Sequence, residues 1–418
     1  MIKVHGLQKS FGTTTVLSNV SFVLGVGQRG ALVGYNGTGK TTILKIVAGE
    51  LAADAGSVEL NPGATVGYLP QDTSVVGDEP ITEYLRRATG LAALEEEMAL
   101  LGECLEELEA QKRYGTVLSN YERMHGYEFE RRVQAMLSGF GLEDVESARA
   151  VSSLSGGQKT KVALVALLLR EDDVLLLDEP TNNLDLPALI WLENFIRASR
   201  ATVLMVSHDR QFVDRVANKV IELDWHTRTA RMTNGTYSDY LVVRKKEQAR
   251  QAADYEAQQE EIERLEERAE AMKRRARQGA QFIGTDNDKF LRGFKRDQAG
   301  KSGRGAKVLE QRIEQMDKVE KPFEREPLSI PVTRKLGEGN RDVALKDVVV
   351  GYPGGFTIGP VSLAMPFGRR LCLLGANGTG KSTLLKTITG HVTPRAGTVQ
   401  IGSGVRLGDM MQEHESLS

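Results

Sequence analysis

The stretch LVGYNGTGKTTILKIVAGE, Leu32 to Glu50, recurs as LLGANGTGKSTLLKTITGH, Leu373 to His391. Lys40 and Lys381 lie 341 positions apart, and the same offset pairs Phe11 with Tyr352, Gly56 with Gly397 and Gln71 with Gln412 without a gap. Self-similarity held at one spacing over roughly seventy positions marks a duplicated domain. Whatever the first copy can fold into, the second must also be able to begin.

Each copy fits the pattern G-x-x-x-x-G-K-[ST], as GYNGTGKT from Gly34 to Thr41 and GANGTGKS from Gly375 to Ser382. Glycines let backbone N–H groups converge on a polyphosphate, and the following helix aims its positive N-terminal end at the anion. Gly34, Asn36, Gly37, Gly39, Lys40, Thr41 and Thr42 form the first candidate cradle. Gly375, Asn377, Gly378, Gly380, Lys381, Ser382 and Thr383 form the second. Lys40 and Lys381 suit the β- and γ-phosphates, and the hydroxyls of Thr41 and Ser382 suit Mg²⁺. The context agrees: GALV (Gly30 to Val33) and LCLL (Leu371 to Leu374) read as buried strands, and the helices that follow end at Gly49 and Gly390.

DVLLLDEP, Asp173 to Pro180, is an apolar run closed by two carboxylates. It predicts a central parallel strand with acids at the end where open α/β sheets bind ligands. Asp178 is placed to bind Mg²⁺, and Glu179 to orient or deprotonate an attacking water. TVLMVSHDRQFVD, Thr202 to Asp214, predicts a second buried strand that delivers His208 to the same sheet edge, within reach of a γ-phosphate.

LSGGQ, Leu154 to Gln158, lies between the phosphate loop and these acids and opens the helix KTKVALVALLLR. With it the chain resembles the ATP-binding cassette (ABC) ATPases over both copies. The resemblance implies that the signature Ser155, Gly156, Gly157 and Gln158 serves ATP in trans, through Ser155 and Gly157, on the phosphate loop of an opposing cassette. It makes Asn182 to Asp185 the D-loop, His208 the switch histidine, and Phe11 and Tyr352 adenine-stacking aromatics. Gln71 and Gln412 become Q-loop glutamines, whose amide can offer oxygen to Mg²⁺ and N–H to water. The implied cofactors are ATP and Mg²⁺.

What surrounds the cassettes decides among ABC proteins. The 418 residues carry a net charge of −2, and the longest apolar run, Val162 to Leu169, is far too short to span a bilayer. MIKVHGLQKSFG has no apolar core of a secretory signal, and Cys104 and Cys372 stand as isolated thiols, so the expected location is cytoplasmic. Between the copies, Ala252, Tyr255, Ile262, Leu265, Ala269, Met272 and Ala276 form a thin apolar seam in a highly charged run. This predicts a long helical hairpin whose second helix starts near Lys307, carries Leu309, Ile313, Met316 and Val319, and ends by Pro322. From Lys273 to Lys307 eleven basic residues meet three aspartates, with Phe282, Phe290 and Phe294 interleaved. Lys289, Arg292, Lys295, Arg296, Phe290 and Phe294 are therefore candidate RNA contacts at a pliable, glycine-containing tip. A second insertion carries Leu91, Leu94, Met98, Leu101, Leu105 and Leu108 at coiled-coil spacing. It predicts one arm through EEEMALLGECLEELE and a return through NYERMHGYEFERRVQAML.

Together these features resemble the ABC-F proteins: two cassettes without a membrane domain, an arm in the first, and a basic linker. SHDRQFVD and GTYSDY, Gly235 to Tyr240, are similar to that family, while Asn183 departs from the histidine many members carry. The resemblance implies an α/β fold of two P-loop cassettes joined by a helical hairpin, the second incomplete. The expected domains are 1–240 with an arm at about 88–130, a linker at 241–325, and the start of the second cassette at 326–418. It implies an ATP-switched partner of the ribosome, with the linker reaching toward tRNA and the peptidyl-transferase centre, in antibiotic resistance or translation. No membrane partner is expected; an ATPase subunit of a transporter, a non-catalytic adaptor and a protein acting on DNA stay open as alternatives. By the offset, a second acid pair and switch histidine would fall near residues 520 and 549. The reading is of a piece truncated after its second Q-loop, weak in ATP turnover unless two chains pair through their first cassettes.

Overall fold

A computed structural model describes residues 1–71, 77–143, 149–182, 184–281, 289–316, 319, 342–352, 356–375 and 378–409, with backbone alone at 279–280, 289–293, 295–296 and 299. Asn183, Phe282, Pro322, Asn377 and Gln412 lie outside the described residues. The chain divides into two compact units, Met1–Tyr237 with Val332–Ser418, and Ser238–Pro331.

The first copy opens with β1 (Ile2–Phe11) and β2 (Thr14–Leu24), then β3 (Arg29–Val33), α1 (Lys40–Val47), β4 (Ala55–Leu60) and β5 (Val66–Leu69). Helices α2 (Ile81–Thr89), α3 (Leu91–Gly102), α4 (Leu108–Arg123), α5 (Phe129–Gly139) and α6 (Gly156–Leu169) follow. The copy continues through β6 (Val174–Asp178), α7 (Leu186–Ala198), β7 (Thr202–Val206), α8 (Arg210–Val216), β8 (Lys219–Leu223) and β9 (Ala230–Asn234). A six-stranded sheet runs β5-β6-β7-β3-β8-β9, parallel except for β9. β6 and β7 are buried along their whole length, as continuous VLLLD and TVLMV runs require of strands covered on both faces. One face packs Val174, Leu176, Leu204 and Ile221 against α1 and the antiparallel sheet β2-β1-β4. The other packs Leu175, Leu177, Val203 and Met205 against apolar residues of α6, α7 and α8. This layering places the carboxyl ends of β3, β6 and β7 at one edge.

The arm is a helical hairpin, but it turns earlier than the leucine spacing predicts. α3 stops at Gly102, the chain reverses over residues 103–107, and α4 already returns from Leu108. Leu105 and Leu108 therefore stand 40% and 66% exposed at the turn instead of continuing the seam. The glycine breaks the helix, which a count of leucine intervals does not register.

In the other unit, α9 (Tyr237–Ala280) and α10 (Lys289–Glu314) form the hairpin, and Leu265, Ala269 and Ala306 are buried between them. α10 starts at Lys289, eighteen positions before the expected Lys307. Lys289 to Lys307, expected as a pliable tip, are helical, and Met316 and Val319 fall past the helix end. Lysines, arginines and alanines favour helix, and Gly305 lies at a close approach of the two helices: a Cβ on it would lie 3.1 Å from the Met272 sulfur.

In the second copy β10 (Val343–Gly351), β11 (Thr357–Met365) and β12 (Ala396–Ile401) form an antiparallel sheet in the order β11-β10-β12, beside α11 (Lys381–Ile388). Leu371 to Leu374, predicted as a buried strand, is not one: Leu371 is 53% and Leu374 88% exposed. In the first copy β3 is held between β7 and β8. Among the described residues the Leu371 to Leu374 segment pairs with no strand, and an unpaired segment has no ladder to hold it extended and buried.

Candidate functional site

The phosphate loop between β3 and α1 needs its glycines for two different reasons. At Gly34 a Cβ would meet the Leu223 carbonyl oxygen at 2.8 Å, and at Gly39, with φ +92°, it would meet Leu17 and Val16 side chains at 2.7 Å. The loop is thus pressed against β2 and the end of β8. Lys40 curls back over it, donating to the carbonyls of Gly34 and Tyr35 at 3.0 Å each. Burial pushes the Lys40 ammonium pKa down, and Glu179 and Asp178 oppose that shift. The second loop repeats the gesture, with Lys381 donating to the Gly375 carbonyl at 2.8 Å and Gly378 and Gly380 in left-handed backbone.

Across a cleft of about 500 Å³, the ends of β6 and β7 face Lys40. Asp178 and Glu179 are 2% and 7% exposed. Burial raises the Asp178 pKa, although a hydrogen bond with Thr41 and the Lys40 charge oppose it. Glu179 has left-handed backbone, φ +52°, an uncommon and costly conformation for a non-glycine residue. It is held there by backbone bonds: Glu179 N–H donates to the Val206 carbonyl at 2.9 Å, and the His208 N–H donates to Glu179 Oε2 at 3.1 Å. The Thr181 and Ser207 hydroxyls join the two strand ends at 3.0 Å. His208 Nε2 stands 3.5 Å from Glu179 Oε1, on a largely exposed imidazole.

Asp178 Oδ2 and Glu179 Oε1 are buried without a hydrogen-bond partner. Two orphaned carboxylate oxygens beside a phosphate loop are a donor set for a hard cation and a water. Among the described residues no group of three or more His, Cys, Asp or Glu could hold a metal. A Mg²⁺ here would draw on Asp178, the Thr41 hydroxyl, Gln71 and phosphate oxygens, which is how that ion is commonly held.

Of the predicted residues, the cleft brings together Asn36, Gly37, Gly39, Lys40, Thr41, Thr42, Gln71, Asp178, Glu179 and His208. Phe11 closes β1 at 51% exposure, outside the cleft wall, with Lys9 5.7 Å from its ring centre. Tyr352 is similarly open at 45%. Ser382 and Thr383 sit in the first turn of α11. Ser155, Gly156, Gly157 and Gln158 start α6 and do not line this cleft. Their side chains form a capping box: Ser155 N–H donates to Gln158 Oε1 at 3.0 Å, and Gln158 N–H donates to Ser155 Oγ at 3.3 Å. In the linker Phe294 is 62% exposed, while Lys289, Phe290, Arg292, Lys295 and Arg296 are placed on α10 by backbone alone.

Sequence reasoning missed three features. Val16 and Val206 make the apolar wall of the cleft. Trp225, after β8, lies 3.6 Å from where a Gly37 Cβ would be and carries the Arg228 guanidinium 4.1 Å from its ring centre. Lys161, on α6, is a buried lysine paired with Asp185, the N-cap of α7. Only Lys161 had a signal, a charge on the helix face otherwise occupied by Val162, Val165 and Leu169 neighbours.

A phosphate loop after β3, a carboxylate pair at the end of the parallel strand β6 and a capped helix carrying LSGGQ define a P-loop nucleotide-binding cassette. Residues 17–182 and 358–417 match the ABC transporter family model. The chain is 33% identical to the ATP-binding protein YdiF of Bacillus subtilis, over 100% of this chain and 62% of that protein. It is 33% identical to the tylosin resistance ATP-binding protein TlrC of Streptomyces fradiae, over 99% of this chain and 76% of that one. With ABC transporter F family member 5 of Arabidopsis thaliana it shares 28%, over 99% of this chain and 58% of the relative. The chain belongs to the ATP-binding cassette family, and within it to the ABC-F group. It spans between about half and three quarters of the length of these relatives. Among the described residues no helix is long and apolar enough to cross a membrane.

Proposed function

We propose that this chain is the ATP-switched part of a cytoplasmic ribosome-binding protein that hydrolyses ATP with Mg²⁺. The observation that carries the ATP chemistry is the pair of buried oxygens on Asp178 and Glu179, neither with a hydrogen-bond partner, in the cleft that Lys40 also lines. Mg²⁺, when bound, neutralises phosphate charge. The chain's residues do the rest. The loop N–H groups and Lys40 orient the β- and γ-phosphates; Glu179, fixed by the His208 N–H, holds or deprotonates the attacking water; Gln71 and His208 border the same space. Phe11 and Tyr352 are proposed to stack adenine, and Ser155 with Gly157 to reach ATP on an opposing cassette. The domain limits given above, 1–240, 241–325 and 326–418, are part of the same proposal.

The ribosome reading is supported by relatives that include an F family member and a tylosin resistance protein. The linker agrees with it, since α10 carries Lys289, Arg292, Lys295 and Arg296 on one helix, suited to a phosphate backbone of rRNA or tRNA. The cassettes close on ATP, the linker is presented to the ribosome, and hydrolysis releases it; resistance by ribosomal protection and a translation factor role both use this cycle. Cosedimentation of the full-length protein with ribosomes tests it. Retention is expected to rise with ATP over ADP and to fall when the four basic α10 residues become glutamine. Retention that ignores both changes would sink the proposal.

A further inference from the structure

Lys161 lies in the second turn of the signature helix, and yet it is only 4% exposed. Its ammonium donates to the Phe140 carbonyl at 2.7 Å and to Asp185 Oδ1 at 3.3 Å. A buried lysine is retained when its charge is paired and its N–H groups are bonded. Both partners are structural ends. Phe140 follows α5, whose last carbonyls have no partner in the helix, and Gly141 with φ +65° turns the chain away. Asp185 is the N-cap of α7, accepting from the Ala188 N–H at 3.4 Å. The same junction is closed on its apolar side by Trp191 of α7, whose ring centre lies 4.9 Å from that of Phe140.

Asp185 ends a tight turn that starts at the catalytic edge. Asn182 N–H donates to the Glu179 carbonyl at 3.1 Å, Leu184 N–H to the Thr181 carbonyl at 3.3 Å, and Asn182 lines the cleft. We propose that Lys161 is a positioning residue. By holding Asp185 it locks the turn after Glu179 to the signature helix, so that movement of Ser155 to Gly157 is felt at Glu179. This rests on the ATP-driven reading above. It adds a link between a signature that acts on an opposing cassette and the carboxylate of its own.

The test uses the full-length protein with Lys161→Met, Lys161→Arg and Asp185→Asn. Amide hydrogen exchange over residues 184–189 without nucleotide is expected to speed up about tenfold or more in Lys161→Met and Asp185→Asn, and to stay near wild type in Lys161→Arg. ATP turnover should drop about 10- to 100-fold in the first two, with the affinity for a fluorescent ATP analogue within about twofold. Unchanged exchange over 184–189, or loss of protection spread evenly over the cassette, overturns the proposal. So does equal loss of turnover and nucleotide affinity. If Lys161→Met does not fold, Asp185→Asn decides, because it keeps a cap acceptor and removes the charge. A wild type that turns over no ATP defeats the hydrolysis reading alone, and the exchange result still decides this one.

Discussion

Glu179 combines burial, left-handed backbone and a hydrogen bond from the His208 N–H, so its position is set by the strands and not by its own rotamer. Glu179→Gln keeps the shape and the backbone bonds but removes the carboxylate proposed as the base. Turnover is expected to fall at least about 100-fold with nucleotide binding retained, measured by phosphate release and by equilibrium binding. Gly39→Ala is expected to cost about 2–4 kcal/mol in thermal or denaturant unfolding, since it adds left-handed strain to a 2.7 Å clash with Leu17 and Val16. Asp178 gives a pH signature. Burial raises its pKa, so over the range from the ordinary aspartate value to the raised one the folded chain holds a proton that the unfolded chain has released. Its contribution to nucleotide-free stability therefore falls as pH rises through that window. Asp178→Asn should raise Tm at neutral pH, and the gain should vanish in acid below the ordinary aspartate range.

Among elements, those that carry their own local signal were legible in the sequence. β6 and β7 follow from unbroken apolar runs, α1 and α11 from glycine–lysine starts and glycine stops, and the seam of α9 from three- and four-residue spacing. What was illegible depended on partners distant in sequence. The Leu371 to Leu374 stretch reads as a strand by composition, yet a strand needs neighbours, and composition does not supply them. The ends of both hairpins were misplaced because Gly102 stops a helix whereas Gly303 and Gly305 sit inside one, packed toward Ala276 and Met272. Which of the two a glycine does is decided by the helix opposite. Gly305→Leu should therefore pry α9 from α10. Faster amide exchange in both helices, with the cassette unaffected, is the expected result. In the site, residue types announced Lys40, Asp178, Glu179 and His208, whereas Lys161, Val16 and Trp225 act through contacts that no motif encodes.

For the whole molecule, an ATP switch means that nucleotide chemistry at one cleft governs attachment to the proposed ribosomal partner. Differential affinity of the ATP and ADP states is the entire source of such a switch. Ribosome retention of full-length protein carrying Glu179→Gln, measured by cosedimentation in ATP, in ADP and with Lys40→Ala added, tests this most directly. Retention in ATP is expected to exceed that in ADP at least about tenfold and to be abolished by Lys40→Ala. Equal retention in ATP and ADP, or retention that survives Lys40→Ala, would contradict the switch.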